Sequence, residues 1–133
     1  MEKLEMEDRD ELLRKCRPSI ALAYNASVAS EELIFQNEVL RPILKFQNDL
    51  LVNLFNHELV TRKIDVGGLD EQELRNKINQ LLIKDQSIKH KMMGICVAMF
   101  TEKELSFYLQ HQKSINKRIL SMLAERIHDN ILN

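Results

Sequence analysis

A chain of 133 residues carrying 19 basic and 20 acidic side chains, for a formal charge of −1, has no global field to draw it onto nucleic acid or anionic lipid. Its length suits one domain, and three glycines with two prolines are too few for the many turns of a β-sandwich or barrel. Two cysteines, Cys16 and Cys96, without CxxC spacing argue against a disulfide-stapled secreted scaffold.

The opening MEKLEMEDRDELLRK is charged throughout and lacks the apolar stretch of a signal peptide. Residues 1–16 can form a short charged helix. The following RPSIALAYNASVAS, Arg17 to Ser30, has Pro18, small residues and no sustained helical stripe, and reads as an irregular arm. Arms of this kind often cross a partner subunit. Residues 1–30 are therefore set apart from a helical domain over 31–133.

Ser30 before Glu31 and Glu32 marks the start of a first long helix, expected over about 31–64. Leu33, Leu40, Ile43, Leu44, Leu51, Leu54, Phe55 and Leu59 form one apolar set. Phe35, Val39, Phe46, Leu50 and Val52 widen it beyond a single stripe, so more than one side must be buried. Pro42 removes a backbone bond and crowds the Glu38 carbonyl, which predicts a kink there, with a full break as the alternative. DVGG then ends the helix, with Gly67 or Gly68 expected to take the left-handed conformation of the reversal. A glycine pair alone is a poor phosphate loop, and Asp70 would repel the phosphate.

GGLDEQEL and FTEKEL share an apolar residue, a short capping side chain, two polar residues, a glutamate and a leucine. The count fits two capping boxes, Asp70 with Glu73 and Thr101 with Glu104, each worth about 1 kcal/mol. They start a second helix over 70–99 and a third over 101–131. The second carries Leu74, Ile78, Leu81, Leu82, Ile88, Met92, Ile95 and Met99, with Asp85 on the stripe and Gly94 placed to let another backbone approach. The third carries Leu105, Tyr108, Ile115, Ile119, Met122, Leu123, Ile127 and Ile131, interrupted by Gln112. Rods of this length measure roughly 43–50 Å at 1.5 Å per residue. Three such rods leave apolar surface open, so the expected fold is all-α: three long antiparallel helices plus the arm, dimerising into a larger bundle. The longest uncharged apolar run, Met92 to Phe100, falls far short of the ~20 residues of a membrane span, which points to the cytoplasm.

Chemistry-bearing patterns are sparse. Cys96 sits in MMGICVAMF and reads as a buried thiol. Glu125 and His128 share a helix face, as in di-iron bundles, but such a site needs two copies of this pair plus two further glutamates, and the sequence holds one copy. His57, His90 and His111 form no HxxxH or HExxH pair, and no catalytic residue, metal ligand or cofactor is assigned. The polar group Gln47, Asn48, Asp49 inside the apolar first helix could meet Asn116 and Arg118 of INKRI, with Asp49 and Arg118 as a charged pair fixing helix register. Lys84, Lys89, His90 and Lys91, and then Lys113, Lys117 and Arg118, are local basic clusters with few aromatic residues to stack on bases.

The segments QNEVLRPILKFQNDLL and FTEKELSFYLQHQKSINKRILSMLAERI resemble a family of short all-helical bacterial proteins of unknown function, over roughly residues 31–131. The resemblance implies no activity and no functional residues. Some relatives carry a loose glyoxalase label; the βαβββ modules and strand-borne His/Glu ligands of a metal glyoxalase are absent from this pattern. The primary expectation is a non-enzymatic interaction or scaffold protein acting as a homodimer with an unknown protein partner. The second is a small-molecule-binding or enzymatic bundle with a site near Asp49, Asp85, Gln112 and Arg118. Nucleic-acid binding is third.

Overall fold

The computed structural model describes residues 6–20, 25 and 27–131, and among these the chain is all-helical, without a strand. Residues 1–5 of the charged opening, and 21–24 and 26 of the expected arm, lie outside the described residues.

Helix α1 (Met6–Cys16) occupies the charged N-terminal segment. It docks on its own chain. Arg9 donates to the carbonyls of Ala98 and Phe100, each at 3.0 Å. Arg17 donates to the Met99 carbonyl at 2.9 Å and makes a two-pronged pair with Glu104 at 2.6 and 2.7 Å. The last carbonyls of a helix have no intrahelical donors, so cations are favoured there. The arm thus caps a helix end of the same molecule.

Helix α2 (Glu31–Phe35) starts at Ser30, whose hydroxyl accepts from the Leu33 N–H at 3.1 Å. It runs directly into a π-helical turn (Gln36–Leu40) and then into α3 (Arg41–Thr61). The Arg41 N–H reaches the Gln36 carbonyl, five residues back. Pro42 cannot bond residue 38, so the backbone widens by one residue ahead of it, and the helical run continues instead of breaking.

The end of α3 corrects the glycine expectation. The Ile64 N–H bonds the Leu59 carbonyl at 2.9 Å and the Lys63 N–H bonds the Val60 carbonyl at 3.1 Å. This is a Schellman end, and its left-handed residue is Lys63, with φ 58°. No glycine has positive φ.

Helix α4 (Glu71–Lys84) has both halves of its capping box, Glu73 N–H to Asp70 at 2.8 Å and Asp70 N–H to Glu73 at 3.2 Å. The expected rod over 70–99 then divides at Asp85. That residue ends α4 with ψ 106° and caps α5 (Gln86–Val97) by accepting from the Ile88 N–H at 3.0 Å. The second capping box, Thr101 with Glu104, starts α6 (Glu102–Gln110). The rod over 101–131 divides at His111, φ −125° and ψ 29°, before α7 (Gln112–Ile131).

These breaks let the pieces fold on one another. Helix α7 packs on α3 and α4, and α5 packs on the same two. Ile115, Ile119, Leu123 and Ile127 of α7 are wholly buried, as are Ile43, Leu44 and Phe55 of α3. Burial of each such side chain stabilises the fold by about 1.5–3 kcal/mol. Phe35 stacks edge-on against Phe100, with centroids 5.5 Å apart, and lies 4.9 Å from Phe107, joining α2 to α6. A single chain therefore covers most of the apolar positions that three straight rods would have left open. Gly94 is exposed on α5, and a methyl group there would meet nothing within 4 Å, so no backbone approaches it.

Candidate functional site

The residues singled out in the sequence are distributed over different parts of the molecule. Asp85 is a helix cap and pairs with Arg62 at the C-terminal end of α3. Asp49 is exposed on the same helix, about 20 Å before Arg62 at 1.5 Å per residue, and accepts from Asn48 at 3.3 Å. Arg118 does not meet Asp49: its Nη1 donates to Gln36 at 2.5 Å, and its Nη2 lies 3.6 Å from Glu32. Gln36 and Glu32 precede Asp49 by more than three turns of the helical run, which is why the expected charged pair cannot form. Asn116 accepts from the Tyr108 hydroxyl at 2.5 Å, and Gln112 is exposed at the start of α7. Gln47 is half-buried. Asn48 does bridge helices, accepting from Arg126 at 3.2 Å and donating to Asn130 at 3.5 Å. Glu125 pairs with Arg75 at 2.8 Å, while His128 is buried beside Asp129.

What the fold builds instead is a polar trough between the α2–π-turn–α3 run and α7. One stretch, about 540 Å³, is lined by Gln36, Ser114, Lys117, Arg118, Ser121 and Met122. The next, about 450 Å³, shares Gln36, Ser121 and Met122 and adds Arg41, Arg126 and Asn130, with Glu125 and Asp129 also in its wall. Glu32 anchors the first stretch, accepting from the Ser114 hydroxyl at 2.5 Å and lying 3.5 Å from His111. In the second stretch the arginines are held by neutral amides. Arg41 donates to Asn37 at 3.1 Å, and Asn37 is itself buried, donating to the Leu33 carbonyl at 2.9 Å. Gln36, Asn37 and Arg41 all lie in or beside the π turn. A π expansion in a helix is frequently found at functional positions. The sequence signal for it was Pro42 alone, which does not distinguish a kink from a widened turn.

A second polar cluster lies at the other end of α3. Glu58, with 9% of its side chain accessible, accepts from Lys91 at 2.8 Å and Arg62 at 3.2 Å, and Arg62 continues to Asp85. The Lys91 hydrogen bond, against burial and with help from Arg62, holds the Glu58 carboxyl below its ordinary range. The Ile88 N–H does the same for Asp85. Burial pushes the Cys96 thiol up to about 12, so it stays protonated and unreactive.

The outward face of α3 is apolar at three places: Phe46, Leu50 and Val60 are 48%, 53% and 74% exposed. At helical spacing they share one side with Asn53 and His57. Among the described residues no helix is long and apolar enough to cross a membrane. No protein-family model matches this chain, and no curated protein or solved structure matches it.

Proposed function

We propose that this chain is a non-enzymatic helical interaction module that acts in the cytoplasm as a homodimer, with the outward face of α3 as its contact surface. The observation that carries the reading is the alignment of Phe46, Leu50 and Val60 on one side of the 21-residue helix α3, outside the buried core. Isolated exposed apolar residues are ordinary, whereas an aligned set on a rigid helix offers a ready contact. The face complements itself. A two-fold axis at Asn53, with the two α3 helices antiparallel, sets Phe46 against Val60 of a second copy and Asp49 against its His57. The contact then has Asn53 at its axis and a Phe46–Val60 apolar pair on either side of it.

Sedimentation at about 10 μM, well above the Kd of a functional dimer, tests this reading. A dimer that Leu50→Glu converts to a folded monomer supports it. A wild-type monomer at that concentration, or a dimer untouched by Leu50→Glu and Phe46→Glu, overturns it.

A further inference from the structure

Two arginines lie close together in the second stretch of the trough without a carboxylate of their own. Arg41 opens α3 and Arg126 lies on α7, and among the described residues neither makes an ion pair. Each gives a hydrogen bond to an amide oxygen, Arg41 to Asn37 and Arg126 to Asn48. A guanidinium has five donors, so several on each remain for a ligand. Burial first, and then the Arg41 charge, push the Arg126 guanidinium below its ordinary range. Two like charges in a partly dry setting repel, and a protein keeps them so only with something to offset the cost.

The walls carry acidic groups as well, and both are engaged. Glu125 is drawn to Arg75 at 2.8 Å, and Asp129 lies 3.3 Å from His128 Nδ1. Ser121, Gln36 and Asn130 line the same stretch with neutral polar groups. We infer that this trough is an anion-binding site, in which Arg41 and Arg126 together hold the phosphate group of a small phosphorylated molecule. A phosphate presents oxygens on several edges and can take two guanidinium forks at once, where a lone carboxylate presents one edge. Glu125 and Asp129 line the same stretch, and the formal charge of the chain is −1, which favours a compact ligand over a polymer track. This inference is independent of the dimer contact, which lies on another face of α3.

The test is titration of the isotope-labelled full chain with inorganic phosphate, pyrophosphate and succinate, following backbone and arginine side-chain resonances. Pyrophosphate is expected to give saturable shifts at Arg41, Arg126 and Ser121. Arg41→Gln and Arg126→Gln should each weaken binding about ten-fold or more, the loss of a charge-assisted hydrogen bond, and Lys113→Gln should not. Arg126→Gln should leave the ligand-free melting temperature unchanged or raised while abolishing the rise produced by pyrophosphate, which a merely structural arginine would not do. No saturable shift by about 10 mM pyrophosphate would overturn the site. Equal binding of succinate, equal weakening by Lys113→Gln, or binding to single-stranded RNA without any response to pyrophosphate would overturn it too.

Discussion

The two ends of α3 treat charge in opposite ways. At the C-terminal end, Glu58, Arg62, Asp85 and Lys91 form a chain in which every charge meets its opposite. At the N-terminal end, Arg41 and Arg126 repel each other and are steadied by asparagines. The first cluster ties α3 to the α4–α5 junction and to α5, and needs nothing further. The second is a scaffold with donors left over. Charge that is internally neutralised reads as architecture, whereas charge that is positioned but not neutralised reads as an invitation to a ligand.

The contrast can be broken in graded steps. Phe55→Ala removes a wholly buried ring from the middle of α3 and should cost about 3–5 kcal/mol by urea unfolding. Because both clusters stand on that helix, both should loosen together, and a loss confined to one end would show that they do not share a scaffold. Glu58→Gln removes two charged partnerships at once and should lower stability by about 1 kcal/mol, discounted for the accessibility of Lys91 and Arg62. Arg126→Gln should change it by no more than about 0.5 kcal/mol in ligand-free protein. If the two variants lose equally, the distinction between the ends is wrong.

Backbone substitutions sharpen the picture at the neutralised end. Lys63→Gly places a glycine at the left-handed residue that closes α3 and should stabilise by about 0.5–1 kcal/mol. Gly94→Ala, on the open side of α5, should add about as much, since its methyl group meets nothing and a helix-interior glycine is disfavoured. Differential scanning calorimetry would read both.

Acid should separate the ends as well. Glu58 and Asp85 titrate below their ordinary ranges in the folded chain, chiefly through the Lys91 hydrogen bond and the Ile88 N–H respectively. A depressed folded value means that their contribution is fully present above the unfolded carboxylate range, about pH 4, and is lost as pH falls through the lower folded values. Urea midpoints should therefore drop below about pH 4, and Glu58→Gln should flatten that drop. Guanidinium groups do not titrate in this window, so the N-terminal end of α3 should contribute nothing to it.

The capping boxes at Asp70 and Thr101 were legible because donor and acceptor lie three residues apart, and a local pattern needs only local geometry. Most buried positions of α3, α4 and α7 were legible from helical spacing, but Phe46 and Leu50, expected to be buried on a second side of α3, are 48% and 53% exposed. The candidate site was not legible. Asp49 and Arg118 were paired on the assumption of straight rods, and the register that brought Arg118 to Gln36 and Glu32 depends on where the rods break. Arg41 and Arg126 went unnoticed because 84 residues of chain separate two arginines that look alike in sequence to every other surface arginine.

The amino-acid order by itself determined that this chain is helical, that helices start after Ser30, Asp70 and Thr101, and much of which faces turn inward, because caps and hydrophobic periodicity act over one or two turns. Tertiary structure alone decided that Asp85 and His111 divide two rods, and that an N-terminal helix closes over the loop before Thr101. Each of those outcomes is stabilised by partners far away in sequence, Arg62 for Asp85, Glu32 for His111 and Arg9 for the Phe100 carbonyl. Local propensity has no access to an energy that exists only once distant segments have met.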